Sequence, residues 1–418
     1  MAERRSGPGD RTSEGGLSLL HVSDHRYYLD DGGEWLTEVP LPLPELASAF
    51  PAPVTHWTFF GRLLRVPPQA EHLSPVRPGR GMIVGFRGVH DPIAGATGFA
   101  RRLGAYHAAL RTSLDEADVV WAKLSHVASV LAFVRRPQRP FMIAHLTGDP
   151  GDALDFRRGP FWRGVGLLSR RLNRRALAKA DLCLFVSEFL RKRFGPPGRP
   201  AFVVHEAGVR GDDFVAEPRK LAPDPPTLLY VGRLAPEKGV DVLLHAMVAV
   251  TESSDAKLRI VGAGRERQRL VSLARRLALA ERVEFVGPLA WGKHLFAEMR
   301  RATCLVAPSR SEGYGLAILE AQAQGTPVVA SAVGGVPEAV DGGRAGVLVP
   351  PGDPVRLAAA IGTVLSDAEL QKRLSEQGLR FARLNTLDAQ VNRLKGALAA
   401  AGLHESAPWR RTGRNGDS

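Results

Sequence analysis

Apolar residues along the chain gather into short runs separated by stretches of helical periodicity. In the first half LSLLHV, THWTFFGRLLRV, GMIVGF, DVVWAKL, PFMIAHL and DLCLFVS read as strands, with helices such as FARRLGAYHAALRTSL between them. The second half repeats the alternation. TLLYV, LRIV, RVEFVG, the run from Thr303 to Ala307 and GVLV read as strands, and the helix after Gly239 sets Val240, Leu243, Leu244, Met247 and Val248 on one face. Strand alternating with helix requires right-handed crossovers, so the predicted class is α/β with parallel, doubly wound sheets.

At 418 residues the chain is long for a single core, and two domains are expected. Residues 1–15 are polar, Gly-rich and aperiodic and are expected to be disordered. The first alternating domain covers 16–209, a charged, Pro-rich linker 210–226, and the second alternating domain 227–384. A final helix occupies 385–402, and 403–418 is an Arg-rich tail expected to be disordered. Ligands of a parallel sheet collect beyond the carboxyl ends of its strands. Polar residues sit there repeatedly: Ser23, Asp24, His25 and Arg26 in a loop after the first strand, then Arg87 and His90, Lys123 and Ser125, and His145, Thr147 and Asp149. Gly32 and Gly33, in a D-D-G-G context, read as a turn with no site role.

Composition narrows the classes. Apolar residues make up 44% and charged residues 24%, values of a globular protein. The longest apolar runs, such as VASVLAFV, fall far short of the roughly 20 residues of a membrane span. The first residues carry Arg but no apolar h-region, so a cytoplasmic location is expected. Cys183 and Cys304 lie inside apolar strands and read as buried free thiols, with no histidine near enough in sequence to make a zinc site. The net charge of +13 fits nucleic acid, an anionic membrane or anionic small molecules. Nucleic acid is not expected, because no basic patch with interleaved aromatics occurs. FWRGVGLLSRRLNRRALAKA is a basic amphipathic helix; an ordinary outer helix of the sheet domain is the favoured reading over a membrane-surface element.

The chemistry concentrates in VAPSRSEGYGLAILEAQAQGTPVVASAVGGVPE, from Val306 to Glu338. A strand passes through a Gly-rich turn into a helix near Gly315, with Leu316, Ile318 and Leu319 at helical spacing, and Glu312 and Glu320 flank the turn. A helix N-terminus offers unpartnered N–H groups and partial positive charge to an anion, and Gly313 and Gly315 admit close approach. Carboxylates beside an anion site suit a ligand that combines phosphate with sugar hydroxyls, as a nucleotide sugar does. Arg233 and Lys238 bracket the earlier turn in VGRLAPEKG, about 80 residues before the carboxylates, and two cations there suit a diphosphate.

Glu312, seven residues, Glu320, followed by G-x-P-V-V-A-S-x-x-G-G-x-P-E and preceded by G-R-x-x-x-x-K-G, resembles family 4 retaining glycosyltransferases of the GT-B fold. The resemblance implies two Rossmann-like domains facing across a cleft, with acceptor bound by 16–209, nucleotide sugar by 227–384, and the helix 385–402 crossing back to the first domain. It implies a sugar, hexose or N-acetylhexosamine, moved from a nucleoside-diphosphate donor of UDP type to a carbohydrate or glycoside hydroxyl. Glu320 would hold the ribose, Glu312 the outer hydroxyls of the donor sugar, and Gly315 and Leu316 amides the distal phosphate. Gly313 and Tyr314 complete the turn. Arg233 and Lys238 would neutralise the diphosphate, and the loop at Gly287 would receive the base. A group at the end of PFMIAHLTGD would reach the reacting centre, either His145 or Asp149. No cofactor or metal is expected, since those cations already serve the diphosphate. The sequence departs from the family where Glu206-Ala207-Gly208-Val209 replaces the usual Pro-Asn-Gly-Val. Acceptors in view are a cell-surface glycan, a glycolipid or a natural product such as an aminocyclitol glycoside. Other classes are a nucleotide-sugar epimerase or hydrolase, or a non-catalytic binding protein of the same fold.

Overall fold

A computed structural model describes residues 16–37, 41–65, 72–90, 107–124, 127–134, 140–156, 159–216 and 225–404. The expectations for 1–15, 217–224 and 405–418, for Ser125, and for the side chains of Asp24, His25 and His90 lie outside the described residues.

The first sheet contains β1 (Leu17–Leu29), β2 (Trp35–Thr37), β3 (Val54–Arg65), β4 (Ser74–Pro75), β5 (Ile83–His90), β6 (Val119–Leu124), β7 (Phe141–Leu146), β8 (Leu182–Phe185) and β9 (Ala201–Val203). Its parallel body runs β5-β3-β1-β6-β7-β8-β9. The second contains β10 (Thr227–Val231), β11 (Lys257–Val261), β12 (Val283–Gly287), β13 (Cys304–Ala307), β14 (Val328–Ser331) and β15 (Val347–Val349), all parallel in the order β12-β11-β10-β13-β14-β15. Each is doubly wound, and strand order reverses between β1 and β6 and between β10 and β13. The apolar runs of the central strands β6, β7, β8, β13 and β14 are buried, as parallel strands covered on both faces require, whereas the edge strand β5 leaves Ile83 exposed.

Two elements differ from the sequence reading. The loop expected over SDHRYYL is the second half of β1. A bulge between Val22 and Arg26 swings this half from β6 to antiparallel pairing with β2, with Tyr27 opposite Thr37. Burial of aromatic surface outweighs the local polarity: the Tyr27 ring lies 5.5 Å from Phe59 and 5.1 Å from Phe86. D-D-G-G is the turn of the resulting hairpin, with the Gly33 amide donating to the Asp30 carbonyl. The second is an additional helix, Ala368–Arg383, capped where Asp367 accepts from the Leu370 amide at 2.8 Å.

One apolar cluster crosses between the two sheet domains, joining Leu146, Phe185 and Val186 to Tyr314, Ile318 and Val336. Another seats Leu394, Ala397 and Leu398 of the helix Leu387–Ala400 against Leu17, Leu19 and Trp121 of the first sheet. Cys183 and Cys304 are buried and free.

Candidate functional site

Where strand order reverses between β10 and β13, the turns leaving the two strands diverge and a crevice opens at their carboxyl ends. Arg233 and Lys238 leave β10 and Glu312 to Leu316 leave β13, so the topology alone brings the two motifs of the sequence to one place. The loops are joined at backbone level. Gly239 has φ 65°, and a Cβ there would lie 2.0 Å from the Pro308 carbonyl oxygen, so only glycine lets the β10 turn meet the β13 turn. Arg310 then forks onto Asp241 at 2.7 and 2.9 Å and donates to the Pro236 carbonyl, fixing the same junction from the side-chain side.

Inside this frame Lys238 Nζ lies 2.6 Å from Glu312 Oε2, both side chains mostly buried. Ser309 Oγ donates to the same oxygen at 3.4 Å. Arg233 is held differently: its side chain is 72% exposed, 3.3 Å from Glu237, and only its carbonyl is tied down, accepting from the Tyr230 hydroxyl at 2.8 Å. One cation is therefore held in a mostly buried pair, and the other reaches solvent from its pair with Glu237. The helix Leu316–Ala323 starts at Gly315, whose φ of 105° and lack of a side-chain cap leave the first turn to backbone donors. Leu316, read from the sequence as part of the apolar stripe, is exposed, while Ile318 and Leu319 are buried.

Glu320 lies one helical turn and more beyond, half-buried. Burial pushes its carboxyl up to about 7, opposed by the hydrogen bond from Trp291 Nε1, 2.8 Å from Oε1, and reinforced by Asp213. Trp291 leaves the β12 turn four residues after Gly287, and the Gly287 carbonyl accepts from the Gly262 amide at 2.8 Å.

The two groups offered from the first domain have different fates. Asp149 is almost fully enclosed, its carboxylate 2.7 Å from Arg170 Nε, 3.0 Å from Arg193 and 2.8 Å from the Gly151 amide. That is the bonding of a structural acid. His145 is buried on β7, its Nδ1 3.3 Å from Trp121 Nε1 and 4.0 Å from Glu206, while its Nε2 has no hydrogen-bond partner. Burial lowers it to about 4, partly offset by Glu206 and helped by Lys123, so the ring is neutral near pH 7. Lys123 and Glu206 pair at 2.6 Å beside it. Glu206 thus takes a charged role where the family pattern carries an uncharged residue.

The domains meet closely around the central turn. A Cβ on Gly313 would sit 2.1 Å from the Thr147 carbonyl oxygen, so this glycine lets the β13 turn touch the β7 loop. Ser311 bonds Asp152 across the same gap. The Tyr314 ring stands edge-on to His205 at 4.4 Å. Glu338 reaches from the second domain to accept from the Glu188 and Phe189 amides at 2.7 and 2.8 Å, capping a helix of the first. Sequence reasoning gave no role to Glu338 or Trp291. The only available signals were the position of Glu338 at the end of the Gly-Gly-Val-Pro run and of Trp291 just past a strand exit.

Residues 213–381 match the family profile described as Glycosyl transferases group 1. Among curated proteins, a D-inositol 3-phosphate glycosyltransferase of Acidothermus cellulolyticus is 37% identical over 231 residues, 52% of this chain and 50% of that protein. A glycogen synthase of Mycobacterium tuberculosis is 36% identical over 189 residues, 45% of each chain. The chain thus spans about half the length of the curated relatives it matches, or less. Among solved structures, sucrose-phosphate synthase from Thermosynechococcus elongatus superposes with a TM-score of 0.70 at 22% identity, covering 92% of this chain and 100% of the other. WaaG, a glycosyltransferase involved in lipopolysaccharide biosynthesis, gives 0.64 at 17%, covering 92% and 100%. Anabaena HepE in complex with UDP and glucose gives 0.63 at 19%, covering 92% and 98%. The fold is GT-B, two Rossmann-like domains.

Proposed function

We propose, from the premise that residues 213–381 form a glycosyl transferases group 1 domain, that the chain is a retaining glycosyltransferase. It moves a hexose or N-acetylhexosamine from a nucleoside-diphosphate donor, a UDP-sugar, to a hydroxyl of a carbohydrate-type acceptor. The observation that carries the reading is the Lys238–Glu312 pair at 2.6 Å, set beside the start of an uncapped helix. A cation from the β10 turn, with an acid and backbone donors from the β13 turn, matches the three parts of a nucleotide sugar near its scissile bond. HepE, a structural neighbour, was solved with UDP and glucose, which supports the choice of nucleotide.

In this reading 227–384 grips the donor and 16–209 presents the acceptor. Lys238, Arg233 and the Gly315 and Leu316 amides stabilise charge on the departing diphosphate by preorganised electrostatics. Glu312 orients the donor sugar, Gly313 and Tyr314 shape the turn around it, Glu320 takes the ribose hydroxyls, and the base lies by Gly287. His145, neutral with Nε2 unbonded, is the better placed of the two first-domain candidates to meet an uncharged sugar hydroxyl, since Asp149 is engaged by two arginines. We place the enzyme in the cytoplasm; among the described residues no helix is long and apolar enough to cross a membrane.

The test is thermal stabilisation across a panel of nucleoside-diphosphate sugars, followed by product analysis with and without glycoside acceptors. A donor at 100 times its Kd should add about 2.7 kcal/mol. Sugar turnover without acceptor that yields an epimer, or free sugar at the full rate, would replace the proposal with an epimerase or hydrolase. Stabilisation without turnover on any acceptor would replace it with a binding protein.

A further inference from the structure

The helix Pro160–Lys179 leaves a face unused by the fold. Its contacts with the domain run through Gly166, Asn173, Ala176 and Leu177, and Arg170 turns inward to Asp149, Asp152 and Asp155. The opposite face exposes Phe161 (69%), Leu167 (66%) and Leu168 (55%). At 100° per residue these three flank Gly164 on one arc, and the next two turns of that arc carry Arg171, Arg174 and Arg175. Arg163 and Lys179 stand at its margins, and the helix contains no Asp or Glu. A second element continues the surface. The helix Glu188–Phe194 sits alongside, with Arg174 over the Phe194 ring at 5.0 Å, and presents Phe189, exposed beneath Arg193, together with Lys192. Four of the eight exposed large hydrophobics among the described residues fall on this one surface.

We infer that this face docks the protein on an anionic lipid surface. The chemistry selects that occupant: on the longer helix large apolar side chains are flanked by arginines with no acid among them, and on the shorter one Glu188 is already paired with Arg191 and Lys192, a pattern that matches acyl chains beneath negatively charged headgroups. A protein groove would leave the cations without partners unless it were both apolar and acidic. The helix starts five residues after Asp155, the end of the short helix whose Asp152 bonds Ser311 beside Glu312, so docking would hold the interdomain crevice close to the lipid plane. The inference stands apart from the glycosyltransferase reading, because it concerns binding alone.

The test is sedimentation of the full chain with vesicles of phosphatidylcholine, with and without phosphatidylglycerol, at low and moderate salt. Binding is expected only with the anionic lipid. Each cation at the surface contributes about fivefold, so Arg163→Ser/Arg171→Ser/Arg175→Ser should weaken binding by roughly a hundredfold. Phe161→Ser/Leu167→Ser/Leu168→Ser should leave only a fraction that added salt removes. These positions are exposed, and an unchanged melting temperature verifies folding. Absence of binding to anionic vesicles, or binding indifferent to both triple variants, overturns the inference. So does concentration-dependent self-association that the apolar triple variant abolishes while vesicle binding is absent, which would assign the face to a second copy of the chain.

Discussion

The two sheets share a winding but are finished differently at the edge where ligands gather. In the second, three successive strand-end turns are laced together by backbone hydrogen bonds: Gly232 to Val261, Leu234 to Ala263, and Gly262 to Gly287. Its ionic groups are then placed on that lattice, Lys238 against Glu312 and Arg310 against Asp241. In the first, backbone bonds join only the later exits, Val186 to Leu146 and Val204 to Phe185, and side-chain pairs make up the rest of the edge. β1 bends away at a bulge, Trp121 donates to His145, and Lys123 with Glu206 and Asp149 with Arg170 form separate pairs. Backbone lattices admit few residue types at their contacts, whereas side-chain pairs can be exchanged for others of similar shape. On the proposed reading, the donor side is the one whose construction tolerates fewer exchanges and the acceptor side the one that tolerates more.

The comparison can be broken most directly at Lys238. If the second domain supplies the transition-state electrostatics, Lys238→Ala should lower kcat by about 100- to 1000-fold while the protein stays folded, measured by steady-state kinetics on the best donor and acceptor. A loss smaller than tenfold would move the burden elsewhere.

Next in size is the separation of the two glutamates. Glu320→Gln should weaken free nucleoside diphosphate and intact donor alike by roughly ten- to a hundredfold, the worth of a charge-assisted hydrogen bond. Glu312→Gln should leave the nucleoside diphosphate no weaker bound and lower turnover. Calorimetric titration of both variants with both ligands decides, and indistinguishable behaviour rejects the assignment. Glu320 adds a pH signature. Its carboxyl stands near 7 in the folded protein, above its ordinary value, so the protonated form is the one favoured by folding and the charged form by ribose. Its contribution to stability is full below its ordinary value and is lost as pH rises through about 7, while nucleoside diphosphate affinity climbs over the same interval. Glu320→Gln should flatten both trends.

Asp149 sharpens the contrast from the other side. Asp149→Asn leaves Arg170 and Arg193 short of a buried carboxylate and should lower stability by about 1 to 3 kcal/mol in denaturant titration, with kcat within a fewfold of the parent. A large fall in kcat at unchanged stability would restore it as a reacting group. The smallest effect is expected from chelation: on the proposed reading Lys238 and Arg233 serve the diphosphate, so excess EDTA should leave the rate unchanged. Recovery of a lost rate by magnesium or manganese would refute that electrostatic role.

The same division explains what was legible beforehand. Glu312, Glu320, Arg233 and Lys238 were readable because lattice glycines such as Gly239 and Gly313 imprint a local pattern around them, and doubly wound topology then gathers the turns. The parallel order was readable from alternation. The second half of β1 was not, because Asp24, His25 and Arg26 signal a loop and only the distant rings of Phe59 and Phe86 explain why the chain stays extended. His145 and Asp149 were indistinguishable for a related reason: four residues apart on one strand exit, they are told apart only by Arg170 and Arg193, which arrive from later helices. Trp291 reaches Glu320 across 29 residues, a contact with no local periodicity to announce it.

The pairing of Lys238 with Glu312 makes donor capture an exchange of partners. On the proposed reading, a diphosphate that draws Lys238 to itself releases a carboxylate at the moment sugar hydroxyls arrive to occupy it. The two halves of the donor are then linked through one broken ion pair: whatever binds the lysine lowers the cost of binding at the glutamate, and the reverse. After transfer the linkage runs backwards. With the sugar gone, the glutamate is again available to reclaim the lysine, and the spent nucleotide faces a competitor built into the protein itself.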